Sequence, residues 1–366
     1  MILTAAHTPK DRPALNTKKS RGLVFALLCI LLPACTSIGP DTIPRDRFDY
    51  ASAITQSWKS QMLRNIVLLH YGEPPVFLEV ASIINQYEFS GKVSAGATAA
   101  GSVTGGDIYN LNVNSGFIDR PTITDAPLTG KLFAQNLLTP IPPESLFRLI
   151  QAGYPADFIF DLGARAINGV RNRSNIGFLH QEADPEFENL LQAIRNIQKT
   201  DASDFRIIQS KENAAAILFI PGHKRDTNTD IADARRILGL SNDIQEYELA
   251  FGLLPQKPNE IAILSRSMLE ILLELSAEVE TPEAHVKDGS APETAREIEH
   301  HRLRIHSQPE PPADAFTAIR YRDHWFGIDN SDRQSKRALT FLMVLFSLAE
   351  TGSAAQVPVV TVGAGS

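Results

Sequence analysis

The chain has 366 residues, a formal net charge of −7, a hydrophobic content of 43%, a charged content of 21% and two cysteines. That length accommodates one large or two ordinary domains with a substantial core. The acidic balance argues against nonspecific nucleic-acid or anionic-lipid binding as the main role, and two cysteines argue against a disulfide framework.

The first element is an export pattern. Lys10, Arg12, Lys18, Lys19 and Arg21 stand against Asp11, and an apolar run at 22–32 follows. The run falls short of the roughly 20 residues that span a bilayer. A basic flank, a short apolar run and a small-residue site are the parts of a signal peptide. Here the site reads Leu32-Pro33-Ala34-Cys35, which resembles the lipobox of bacterial lipoproteins. The resemblance implies a diacylglyceryl thioether on Cys35, removal of residues 1–34, and acylation of the new amine by a chain such as palmitate. Pro33 departs from the commoner small or β-branched residue. Thr36 in place of Asp implies sorting to the outer membrane, with the body in the periplasm. The mature chain would carry about −11 and no free thiol, because Cys29 leaves with the signal.

Residues 35–47 contain Gly39, Pro40 and Pro44 and are expected to form an extended tether reaching about 40 Å. From Asp49 a helix is predicted, with Ile54, Trp58, Met62, Ile66 and Leu69 in one stripe. Gly72 and Pro74-Pro75 end it. The apolar run 76–87 fits helix or strand. Across 89–117 apolar and small residues alternate with polar ones around Gly105-Gly106-Asp107, which predicts a Gly/Ala-rich β-hairpin. Each arm matches the 9–11 residues or so of a barrel strand, although one hairpin cannot close its edges in lipid.

Residues 120–139 are expected as loop, and Pro142-Pro143-Glu144 opens a short helix ended by Gly153. Over 157–169 the pattern favours a helix capped by Asn168-Gly169, with a hairpin turn there as the alternative. Residues 172–184 divide an N-terminal α+β region (48–175) from a C-terminal α/β region (185–366). In the latter, helices are predicted at 186–197, 229–238 and 269–278. Strands are predicted at 205–209, 215–220, 246–251, 260–264, 301–306, 316–321, 324–328 and 357–362. Ser267/Glu270 and Ser331/Gln334 have capping-box spacing. Residues 280–298 are expected as a mobile acidic insertion, and an apolar helix over 341–349 should pack in a core. The fold class is therefore α+β, with mixed sheets, packed helices, an N-terminal helix and the hairpin. The body is similar to large, functionally uncharacterised lipoproteins of double-membraned bacteria in 126–130, 138–144, 167–170, 266–269 and 324–329. That likeness implies location and no chemistry.

No phosphate-binding loop, dinucleotide fingerprint, nucleophile elbow or His-Glu-x-x-His occurs. Asp226–Asp230 begins like a calcium loop but has Ile231 and Ile237 where Gly and Glu belong. Among His300, His301 and His306, the neighbouring Arg302 and Arg304 oppose a cation. No catalytic residue, metal site or cofactor is assigned. Arg320, Tyr321, Arg322 and Trp325 have the composition of a binding edge.

The leading reading is an outer-membrane lipoprotein held to membrane lipid through Cys35, binding or assembling with envelope proteins and not with nucleic acid. One alternative is a periplasmic hydrolase, favoured by a cleft gathering His180, His223 or Asp226. The other is an export-complex subunit lending hairpin 89–117 to a barrel.

Overall fold

The computed structural model describes residues 38–84, 87–98, 108–119, 122–176, 181–199, 206–209, 216–219, 229–294 and 301–349. The signal segment, Cys35, residues 105–107, His180, His223, Asp226, His300 and the expected strand 357–362 lie outside them. The chain divides into two compact units, 1–56 and 57–366. In the first, residues 38–56 belong to helix α1, Ile38–His70. The stretch 38–47, expected as an extended tether, is thus wound. Pro40 sits in the first turn, which needs no N–H, and Pro44 forgoes one helical bond.

The second unit has an α+β fold. From residue 57, α1 buries Met62, Leu63, Ile66 and Val67. It ends at Gly72, with φ +73°, and the Glu73 N–H bonds Leu68 O at 2.8 Å. The chain then runs back along the helix. Asn65 exchanges two bonds with the Val76 backbone, at 2.9 and 2.8 Å, and Gln61 does the same with Leu78. These two amides fasten residues 76–78 to the helix as the chain enters β1.

Among the described residues the strands form four sheets. β1 (Leu78–Ile84) pairs antiparallel with β4 (Thr122–Pro127), placing a strand where loop was expected. β2 (Tyr87–Thr98) and β3 (Ile108–Asp119) form the expected hairpin, in register from Tyr87–Asp119 to Thr98–Ile108. After a single helical turn (α2, Gly130–Phe133) and a π-helical turn come α3 (Pro143–Gln151) and α4 (Ala156–Gly163). Gly163 packs so tightly that a Cβ would lie 2.9 Å from a Leu146 methyl. The chain there leaves the helix for β5 (Ala164–Ile167), turns through Asn168 (φ +46°) and Gly169 (φ +86°), and returns as β6 (Val170–Arg171). Asn-Gly therefore makes the hairpin alternative and not the helix cap, because two consecutive left-handed residues suit a type I′ turn.

The six-stranded sheet has the order β6-β5-β10-β9-β8-β7, with β7 Arg206–Gln209, β8 Ala216–Phe219, β9 Glu246–Phe251 and β10 Glu260–Ser265. Only β9 and β10 run parallel within it. Since β5 pairs with β10, the expected N- and C-terminal regions share one sheet and residues 172–184 are not a structural divide. Helices α5 (Pro185–Lys199) and α6 (Thr229–Leu238) flank it, and Phe147, Phe160, Phe187, Leu190, Tyr247 and Ile263 fill its core.

Helix α7 (Met268–Ser276) opens on the expected capping box: Ser267 accepts from Glu270 N at 3.2 Å, and Glu270 from Ser267 N at 2.8 Å. Residues 280–294, expected as a mobile insertion, instead pack: α8 (Glu283–Lys287) buries His285, and Ala291 joins the core. Of the expected strand 301–306 only His306 belongs to a strand, β11 (His306–Gln308); Ile305 makes a single bridge to Val279, and Arg302 and Leu303 are buried. β11 and β12 (Ala315–Tyr321) flank β13 (His324–Asp329). The final described helix, α9 (Arg333–Ala349), is capped by Asp332, not Ser331. Its carboxylate accepts from Gln334 N and Ser335 N at 3.1 and 3.0 Å. Leu339, Phe341, Leu342, Leu345 and Phe346 share one core with Phe326 and Ile328. Trp325 remains outside that core, half-buried.

A buried ionic network binds these parts. Arg302, 2% exposed, grips Asp161 of α4 with two bonds of 2.7 Å and approaches Glu274 of α7 at 3.4 Å. Arg266, fully buried, donates to the Asp161 and Leu162 carbonyls at 2.9 and 3.1 Å and to the Arg173 carbonyl, with Glu274 at 3.4 Å. Glu278 Oε2 accepts from the Arg302 and Leu303 amides at 2.7 and 3.0 Å, while its buried Oε1 has no bonded partner.

Two predictions follow from this packing. Phe346 is buried and stacks on Phe77 with centroids 4.8 Å apart. Phe346→Ala should cost about 3–5 kcal/mol in a urea melt, and an unchanged midpoint would place this face in solvent. Burial also pushes the Glu278 carboxyl up from 4.5 to about 7, with Arg302 and Arg173 opposing. A raised folded-state pKa stabilises below the unfolded value and loses that contribution as pH rises through the folded one. Wild type should thus lose on the order of 3 kcal/mol from this group between about pH 4.5 and 7. Glu278→Gln should flatten that slope.

Candidate functional site

The block 320–325 sits at the tip of the three-stranded sheet, and strand register decides which of its side chains work together. Cross-strand partners share a face. Arg320 pairs with Trp325, and Tyr321 with His324. Tyr321 and His324 therefore lie on the face that also carries Ile319 and the buried Phe326. Arg320 and Trp325 project from the opposite face, so the four residues expected to form one binding edge are divided. Trp325 and exposed Arg320 are a cross-strand pair beside Gln308 of β11.

Tyr321 and Arg322 instead join residues from elsewhere in the chain. Arg322 leads the two-residue turn between β12 and β13 with φ +51°, a left-handed conformation that glycine or asparagine adopts more readily. Its guanidinium lies over the Tyr71 ring, 4.9 Å from the centroid, and 5.6 Å from that of Tyr321. The two tyrosine rings are themselves 4.8 Å apart. Tyr321 donates to Glu73 at 2.5 Å, and the Glu73 carboxylate is 4.0 Å from Arg322. Tyr71 and Glu73 stand just beyond the C-terminus of α1, held by its glycine cap.

A second set of polar groups adjoins this stack. His285 projects from α8 with Nδ1 2.6 Å from the Tyr71 hydroxyl and Nε2 3.0 Å from Asp323 Oδ1. His324 Nδ1 is 3.1 Å from the same oxygen, and the two imidazoles meet edge to face at 5.0 Å. Hydrogen bonds from His324 and His285 hold the Asp323 carboxyl down to about 2. Burial pushes the Tyr71 phenol up to about 12 although Arg322 opposes it, so Tyr71 stays protonated throughout the physiological range. The site thus offers one fixed carboxylate, two imidazoles, a cation laid on aromatic rings and a neutral phenol. His285, Asp323 and His324 are, among the described residues, the one group with donor atoms close enough to hold a metal ion together.

The sequence reading missed Tyr71, Glu73 and His285 and gave Asp323 and His324 no role. The last two lay within the block already singled out. His285 was hidden in the acidic stretch expected to be mobile. His301 and His306 are not part of this centre. His306 lies between Glu280 and Asp329, at 3.1 and 3.6 Å, and His301 Nδ1 is 3.9 Å from Glu278.

A separate apolar cavity of about 70 Å³ lies between α5, α6 and the six-stranded sheet, walled by Phe147, Phe160, Ile194, Ile231, Leu238 and Ile263. Its two polar wall residues are committed elsewhere. Gln198 bonds the Ala156 amide and the Tyr154 carbonyl, and Arg235 bonds the Ser241 and Ile244 carbonyls and the Tyr247 hydroxyl. A binding pocket needs a few polar groups aimed inward, and this cavity presents none.

The strained turn yields a test. A left-handed non-glycine costs about 1–2 kcal/mol, and an exposed cation–π contact returns about 0.5–1 kcal/mol. Arg322→Gly should therefore shift the melting temperature by no more than about 3 °C. A fall well beyond that would make Arg322 a structural clamp and not a contact residue.

No protein-family model matches the chain, and no curated protein and no solved structure is similar to it.

Proposed function

We propose that this chain is a bacterial lipoprotein, held in the outer membrane by acyl chains on Cys35, whose periplasmic body is a binding or assembly component of the cell envelope. The location rests on the basic flank, the apolar run and Leu32-Pro33-Ala34-Cys35. No helix among the described residues is long and apolar enough to cross a membrane. The binding role rests on Arg322. A guanidinium kept on a left-handed residue at an exposed turn, over two tyrosines, is the kind of anchor that dominates protein interfaces. The contact surface is Tyr321 and Arg322, with Tyr71 and Glu73 behind them.

A second reading is favoured by the β2–β3 hairpin. Among the described residues its twelve-residue arms form a sheet of their own, and each exceeds the 9–11 residues or so of a barrel strand. In that reading the chain lends the hairpin to a shared barrel in an export complex. Deleting residues 89–117 would then abolish the complex while Arg322→Gly spared it, and the leading reading expects the reverse.

Cys35→Ala should move the protein from the membrane fraction to the soluble periplasm, or leave it as uncleaved precursor. Intact-mass analysis of wild type should show acyl chains on Cys35. Wild-type protein lacking them would end the anchoring proposal.

A further inference from the structure

We propose that His285, Asp323 and His324 form a binding site for a divalent first-row transition metal of the zinc class, with coordination positions left open to solvent. The donor set is two imidazole nitrogens and one carboxylate oxygen, which suits such ions better than magnesium or calcium. His285 Nε2 and His324 Nδ1 stand 3.0 and 3.1 Å from Asp323 Oδ1, and all three donor atoms lie within 4.8 Å of one another. Ligands bound at about 2.0–2.1 Å in a tetrahedron are separated by roughly 3.3 Å. Both imidazole–carboxylate edges are therefore nearly at bonded spacing, and the third is no longer than 4.8 Å.

The surroundings orient these donors as a metal site requires. A metal-bound histidine donates its other ring N–H to a fixed acceptor, and His285 Nδ1 has the Tyr71 oxygen at 2.6 Å. Tyr71 is in turn held by the end of α1 and by the stacked Arg322. His285 is 5% exposed, the one buried residue of α8. Asp323 and His324 sit on a turn whose register is fixed by the pairing of Tyr321 with His324. The carboxylate is 73% exposed, so water or a ligand can complete the coordination. Arg322, the neighbour of Asp323 in the chain, opposes a cation, and Glu73 stands 4.0 Å from it as a counter-ion.

In the metal-free molecule the same oxygen accepts one hydrogen bond from each imidazole. An ion takes the place of these two hydrogen bonds, each ring turning an unprotonated nitrogen to it and keeping its proton on the other nitrogen. The proposal does not depend on lipid anchoring or on a protein partner.

The test uses the purified full-length chain, without a histidine tag, titrated with Zn²⁺ by calorimetry and with Co²⁺ by visible absorption. One equivalent should bind, and Co²⁺ should give the strong ligand-field bands of a low-coordinate site. Asp323→Asn alters an exposed residue and should weaken binding at least tenfold with an unchanged thermal melt, and His324→Ala should weaken it as much. Tyr71→Phe should weaken it about 10- to 100-fold, because the acceptor that fixes His285 is lost. Absence of binding would overturn the proposal. So would stoichiometric binding unaffected by Asp323→Asn and His324→Ala, which would place the ion elsewhere, for example on His306 with Glu280.

Discussion

The structure turns on two buried arginines. Arg266, just before α7, and Arg302, in the loop that leads into β11, take their partners from α4, the segment after β6, and α7. Each partner comes from a different stretch, so the network fixes how α4 and α7 sit against residues 301–304. Apolar side chains could fill the same volume without much loss, whereas removing one charged member would strand the others in a low-dielectric interior. What the arginines supply is directionality, since a planar guanidinium with several short bonds accepts only one arrangement of its neighbours. The three-stranded sheet begins immediately after this anchor. The turn carrying Arg322, Asp323 and His324 is therefore placed by groups buried far from it in sequence.

Elements with strong local signals were legible in the chain. The capping box at Ser267, the Thr229–Leu238 helix before Gly239 and the alternation around residues 105–107 each carry their cause within a few residues. Where partners decide the outcome, the local signal misled. Pro40 and Pro44 suggest an extended chain, but a helix beginning at Ile38 puts the first proline in the permissive turn. Asn168-Gly169 suits a cap or a hairpin equally, and only the approach of β10 selects the hairpin. The acidic composition of 280–298 gives no hint that His285 is buried, because its partners Tyr71 and Asp323 are distant in sequence.

The site shows the same division. Residue types in 320–325 single out Tyr321 and Arg322 by composition, and the structure brings these two together with Tyr71 and Glu73. Their segregation onto two faces depends on which residue opens the turn, a matter of a single register step. The imidazole–carboxylate group is less legible still, because two of its members are adjacent and the third lies 38 positions away. Spacing motifs detect ligands on one helix or one hairpin; a centre assembled by tertiary packing leaves no such trace.

The order of strands in the six-stranded sheet also bears on how the molecule comes to exist. β5 joins its sheet only by pairing with β10, and Asn168 is fastened to Ala262, 94 positions later. Closing a loop of that length costs entropy before any contact compensates for it, so such a sheet assembles slowly and late. The central strands cannot settle until residue 265 is available, and residues 38–176 must wait with β5 and β6 unpaired on one side. In a nascent chain this sheet stays incomplete until β10 has been made. Delayed closure of the sheet is thus compatible with passage across a membrane before folding.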